Sequence, residues 1–266
     1  MNNFLKNLIF RLDFSNMMDK DVEDFIQSIR DVIFDSGYTT LREVYDNNTN
    51  VNLDIINPDN IKINNELTKV YQFTSTNNKI LKISKSYIIF DINMELNETL
   101  FSKHLPLISE IINELKKRKY LHYTRVGLRK TNVCLLLDKA KLSDYFNPNV
   151  LCLFSEDSTI TQIGDEIFQG NYRIHYNRRL QEGTISTNNQ EQTAYQIILD
   201  IDAYLQDDSN FSINDEITHN DSTLILTKLN DLIYENYINS LTDDFINKLQ
   251  KLDFNDECIL GVIKNV

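Results

Sequence analysis

The sequence predicts an α+β protein: antiparallel sheets with helices packed on one face, divided into two sub-domains. Three observations carry that expectation. Strand-like runs are interrupted by a few helical ones instead of alternating regularly with them, which argues against βαβ units. Turn signals join neighbouring strand runs into hairpins. The composition shifts near residue 148, separating an N-terminal α+β domain, 1–147, from an acidic C-terminal one, 148–266.

Residues 4–14 read as a first strand, with Phe4, Leu8, Phe10, Leu12 and Phe14 on or near one face. From Asp19 the period changes: Val22, Phe25, Ile26, Ile29 and Ile33 recur at helical spacing, and Gly37 is a natural stop. Residues 38–66 are extended and Asn-rich, with a turn at Asn57-Pro58-Asp59-Asn60. Val70–Thr74 and Ile80–Ile83 flank a turn at Thr76-Asn77-Asn78. In Tyr87–Met94, Ile88, Phe90, Ile92 and Met94 face one way and Asp91 and Asn93 the other, as in a half-buried antiparallel strand. Leu105, Ile108, Ile112 and Leu115 then form one helical stripe. Pro106 is tolerated only in a first turn, so this helix begins near residues 102–104.

The strand Tyr123–Leu137 follows, then a short helical piece at Ser143–Phe146 that stops at Pro148. Strands are expected near 150–154, 159–168 and 171–180, a polar loop at 184–193, and a strong strand at Tyr195–Leu205. An acidic loop, 206–222, leads to a helix at 222–239. Thr242-Asp243-Asp244 starts a last helix lined by Phe245, Leu249 and Leu252, and Cys258–Ile263 reads as a closing edge strand.

Of the 266 residues, 27 are Lys or Arg and 39 are Asp or Glu, a net charge of −12. The imbalance is local: residues 195–257 hold fourteen acids against three lysines, whereas Lys116–Asp138 carries seven basic residues and no acid before Asp138. The chain is therefore dipolar, which is a clue to binding and not to chemistry. Cys134, Cys152 and Cys258 are far apart and form no CxxC, so neither a disulfide framework nor a zinc site is expected and the protein reads as reduced and cytoplasmic. No apolar window is long enough for a membrane span, and no motif implies a cofactor. The histidines His104, His122, His175 and His219 show no metal-ligand spacing, and phosphate-loop, dinucleotide and nucleophile-elbow signatures are absent.

Arg125, Gly127 and Arg129 share one strand face at period two. Arginine suits bidentate contact with carboxylate or phosphate, and a glycine between two arginines leaves room for a ligand or a partner backbone. With Lys130 and Asn132 they make the candidate binding set. The plainer alternative is that both arginines pair with acids of the C-terminal half and hold the halves together. Lys116–Lys119 with Tyr120 and Tyr123 would suit nucleic acid, although the net charge disfavours a polyanion and a solvated helix end explains the cluster as well. Asp200 and Asp202, on one strand face with Tyr204, would make a two-metal carboxylate site with Asp91. Acids on an exposed sheet face are the alternative.

The stretch Arg125-Val126-Gly127-Leu128-Arg129-Lys130-Thr131-Asn132 resembles the R-[IV]-G-L-R-Y-x-N strand of an uncharacterised family distributed sporadically in bacteria, whose members are chains of about this length. An opening strand and helix, a helix just before the basic strand, a D-x-D strand at Leu199–Asp202, then a helix and a Thr-initiated final helix at Leu241–Asp243 are similar in the same order, so the resemblance spans nearly the whole chain. The chain departs from the pattern at Lys130, where the family has Tyr. The resemblance implies no established activity. The family's patchy distribution is like that of mobile defence, antiviral or toxin-neutralising genes. The expectation is a non-enzymatic interaction protein, a subunit, regulator or neutraliser of another protein in such a module. The alternatives are a metal-dependent phosphodiesterase or nucleotide-processing enzyme using Asp200 and Asp202, and an anion or nucleic-acid binder using Lys116–Lys130.

Overall fold

The structure, a computed structural model, describes residues 2–53, 61–94, 100–151, 159–187, 190–208, 211–251 and 255–260. In chain order these form β1 (Leu5–Phe14), α1 (Asp19–Asp35), β2 (Tyr38–Leu53), β3 (Ile61–Ser75), β4 (Lys79–Ser84), β5 (Tyr87–Asn93), α2 (Leu105–Lys116) and β6 (Tyr123–Leu136). There follow two short helical pieces, α3 (Leu142–Tyr145) and α4 (Pro148–Leu151), then β7 (Ile160–Gln169), β8 (Tyr172–Thr187) and β9 (Gln190–Gln206). The chain continues through α5 (Ile213–His219), α6 (Ser222–Ile238), α7 (Asp243–Leu249) and β10 (Ile259–Leu260).

All ten strands join one antiparallel sheet in the order β2-β3-β4-β5-β1-β6-β9-β8-β7. β10 continues along the edge of β6 where β1 ends, with Ile259 opposite Leu136. The chain is thus α+β, with β6 and β9 as its seam. Those two strands pair from Arg125↔Gln206 to Leu136↔Tyr195, so one sheet runs across residue 148 and joins the segments on either side.

Period-two alternation decides what each strand buries. Leu8, Phe10 and Leu12 of β1, Ile88, Phe90 and Ile92 of β5, Val126 and Leu128 of β6, and Ile197, Leu199 and Ile201 of β9 all lie in one core cluster. α1 buries the expected stripe Val22, Phe25, Ile26, Ile29 and Ile33, each side chain contributing roughly 1.5–3 kcal/mol by leaving water. It ends at Gly37, whose φ of 88° is the left-handed conformation a glycine adopts cheaply. α6 lies against β6 and β9 and also touches α2. Contact on both sides explains why it buries Ile225, Leu226, Leu229, Leu232, Ile233 and Tyr237 instead of a single narrow stripe. α7 starts at Thr242, whose hydroxyl accepts from the Phe245 amide, and inserts Phe245 against Phe4, Tyr145 and Phe146.

Residues 38–53 and 61–66 are extended, as expected, and β2 and β3 pair from Tyr38↔Ser75 to Leu53↔Ile61. Three sequence expectations need correction. Residues 184–187 and 190–193 of the expected polar loop are strand, the outer ends of β8 and β9, where Thr184 pairs with Thr193 and Ser186 with Glu191. The acidic loop at 206–222 contains α5, anchored by buried Ile213 and Ile217. The start of the strand expected at 150–154 is helical, as α4. The turn at Asn57–Asn60, Cys152 and the end of the Cys258–Ile263 strand lie outside the described residues. Cys134 is buried, Cys258 is partly exposed, and both are free. No described helix is long and apolar enough to cross a membrane.

Candidate functional site

β6 sorts its candidate residues onto two faces. Arg125, Gly127 and Arg129 point to the polar face, whereas Lys130 and Asn132 alternate with buried Val126, Leu128, Cys134 and Leu136 on the core face. The five residues of the expected binding set therefore do not form one site.

On the polar face the seam is a lattice of ion pairs. Arg129 grips Asp200 with two hydrogen bonds, Nε to Oδ1 at 2.7 Å and Nη2 to Oδ2 at 2.6 Å. Thr131 donates to the same carboxylate at 3.3 Å. Arg125 Nη2 donates to Asp202 Oδ2 at 2.9 Å, and its guanidinium lies 4.6 Å from the centre of the Tyr204 ring. Tyr204 in turn meets His175 Nε2 at 3.1 Å, and the same nitrogen is 3.1 Å from Glu166 Oε1. The hydrogen bond to Asp200 holds the Arg129 guanidinium more firmly protonated than usual. Burial raises the Asp202 carboxyl, and this outweighs the opposing pull of Arg125, Arg129 and His175. The cations of the N-terminal half and the acids of the C-terminal half thus face each other across β6 and β9.

Gly127 has a different role from the one its sequence context suggests. The room over it is already taken: an added Cβ would stand 3.0 Å from Tyr204 Cβ and 3.5 Å from Arg125 Nη2. The absent side chain lets the Arg125 guanidinium lie back along its own strand, over the glycine, to reach Asp202.

Beside this lattice is a depression of about 330 Å³. Half-buried Ile9, Ile80 and Ile89, from β1, β4 and β5, give it an apolar floor. Its charged lining comprises Arg11, Lys82, Arg125 and Arg129 with Asp91 and Asp202, and each of the four cations is ion-paired, Arg11 with Asp13, Lys82 with Asp46, Arg125 with Asp202 and Arg129 with Asp200. Lys82 is shared with Asp46 at 3.2 Å, and Tyr87 donates to the same carboxylate at 2.6 Å. That hydrogen bond, reinforced by Lys82, holds the Asp46 carboxyl below its usual range.

The other sequence candidates separate. Asp91 is opposite Ile9, Ile9 is opposite Arg129, and Arg129 is opposite Asp202. Asp91 is thus three strands from Asp202, about 14 Å at ordinary strand spacing. No three metal-capable side chains gather among the described residues, and a cation at Asp200 and Asp202 would have to displace an arginine from each. The Lys116–Lys130 segment is not one cationic surface either. Lys116 caps the Asn220 carbonyl at 2.8 Å, Lys117 and Arg118 pair with Glu114, and Arg118 also covers the Phe25 ring. No protein-family model matches this chain, and no curated protein matches it either.

Proposed function

We propose that the protein is a non-enzymatic binding protein, a subunit, regulator or neutraliser that docks another protein on the polar face of its sheet. In this reading the helices occupy the opposite face, and the segments before and after residue 148 act as sub-domains of one shared sheet. The observation that carries it is the depression with an isoleucine floor and a rim of paired charges beside an ion-pair lattice. An apolar centre with a polar rim is how protein interfaces gain affinity, and fixed charges around it select the partner. The partner chemistry that fits is an apolar side chain flanked by polar or charged groups that complement the paired charges of the rim. The arginine-locked carboxylates speak against the metal-dependent alternative. The resemblance of Arg125–Asn132 to the sporadic bacterial family is what suggests a defence or toxin-neutralising setting.

The test is recovery of the tagged protein from its host, with bound proteins identified by mass spectrometry and their stoichiometry measured. Arg129→Glu is compared with Arg129→Glu/Asp200→Arg, which keeps the intramolecular pair in reversed order. A stoichiometric partner that dissociates as salt rises and is lost in both variants supports docking on this face. Retention in the reversed pair assigns Arg129 to fold maintenance only, and turnover of a substrate by the isolated chain overturns the non-enzymatic reading.

A further inference from the structure

Lys130 stands in a row of buried side chains on the core face of β6, between Leu128 and Asn132 and opposite Leu8 of β1 and Ile201 of β9. A lone ammonium is costly there, because the surroundings replace its hydration poorly. Nζ donates to Asn230 Oδ1 of α6 at 2.6 Å and lies 5.5 Å from the centre of the Phe101 ring. No carboxylate forms an ion pair with it among the described residues. Asp231 is the acid whose field favours the charge. An ammonium has three donors, and the structure shows one of them used on protein.

The Lys130 side chain lines a cavity of about 430 Å³ between β6, α6 and the turn before α2. Leu5, Leu100, Phe101, Leu105 and Ile233 make its walls largely apolar. Among the further polar side chains that border it, Asn132 and Tyr237 are the buried ones. Asn132 is only 5 % exposed. Tyr237 is also 5 % exposed, and its buried hydroxyl has no hydrogen-bond partner among the described residues. An apolar hollow with a few converging polar groups is the usual form of a small-molecule site. A buried hydroxyl without a partner and an ammonium without a counter-ion are both deficits that an anionic ligand would remove.

We propose that this cavity binds a small amphiphilic carboxylate, its carboxylate on the Lys130 ammonium beside Asn132 and Tyr237 and its apolar body against Leu100, Phe101 and Leu105. A single cation without arginine matches one negative charge, so a phosphate dianion would remain under-neutralised. The site is on the opposite side of β6 from Arg125 and Arg129, so it stands or falls independently of partner docking.

Isothermal titration of the full chain with decanoate and with phenylbutyrate, each beside its matched alcohol, tests the assignment. At least one carboxylate binds with one molecule per chain, about tenfold or more tighter than its alcohol, as expected for a charge-assisted contact in a desolvated site. Lys130→Met removes that preference and leaves binding of the alcohol in place. Tyr237→Phe, which keeps the ring, weakens the carboxylate and leaves the alcohol unchanged. The proposal is overturned if neither carboxylate binds, if carboxylate and alcohol bind equally, or if both variants bind the carboxylate as the parent chain does.

Discussion

Lys130 is the residue at which the sequence and the energetics of the fold pull hardest against each other. Its position in β6 calls for an apolar side chain, as Val126, Leu128 and Cys134 show two, one and two steps along the same alternation. Burial pushes its ammonium from 10.5 down to about 8. The sign of the stability effect follows from proton counting. Below the folded value both folded and unfolded chains hold the proton, and the full cost of burying the charge is present. Between about 8 and 10.5 the unfolded chain binds more protons, so stability rises with pH until the cost is gone. Lys130→Met removes the titration. It is expected to be more stable than the parent chain at pH 7 by up to about 3 kcal/mol. That margin should close as the pH approaches 10.5. Urea unfolding of both chains across this range measures it. A margin independent of pH would show that the ammonium is not buried as described.

At the scale of an element, β6 shows what a strand sequence discloses and what it withholds. Period two alone places Arg125, Gly127 and Arg129 on one face and separates them from Lys130 and Asn132. The partners of those arginines depend on register: Arg129 reaches Asp200 only because β9 sets Thr131 opposite Asp200 and Arg129 opposite Asp202. Nothing local to either strand specifies that alignment. The same limit hides the outer ends of β8 and β9, where polar residues are held by ladder bonds and not by a buried face, and α5, where only Ile213 and Ile217 reveal a helix among acids. Elements with a broad apolar stripe, such as α1 and β5, are legible because the stripe is itself the cause of their burial. The pairing of β6 with β9 also makes a test of Gly127. Its missing Cβ is 3.0 Å from Tyr204 Cβ, an atom fixed to the β9 backbone that cannot swing aside. Gly127→Ala is expected to cost about 1–3 kcal/mol, the usual range for overpacking, with a lower urea midpoint. If the midpoint is unchanged, the close packing of Arg125 and Tyr204 over the glycine is wrong.

Across the whole molecule, residues from both ends of the chain meet at the same place. The Asn2 amide donates to the Leu249 carbonyl, Phe4 stacks on Phe245, and β10 returns to pair with β6 after α7. A composition shift near residue 148 registers a change in surface charge. It carries no information about who pairs with whom, because strand neighbours such as β6 and β9 are separated in sequence by several other elements. Cutting there would expose the long inner edge of β6 on one side and of β9 on the other, and unpaired edges of central strands leave costly buried polar groups and aggregate. It would also strip Phe4 from Phe245 of α7, on which it stacks. The chain is therefore expected to unfold in a single cooperative transition, with circular dichroism and tyrosine fluorescence giving coincident curves in urea. The fragment 1–147, expressed alone, is expected to be insoluble or unfolded. Two resolved transitions, or a soluble and protease-resistant 1–147, would mean that each half closes its own core and that the β6–β9 seam is an interface between independently stable units.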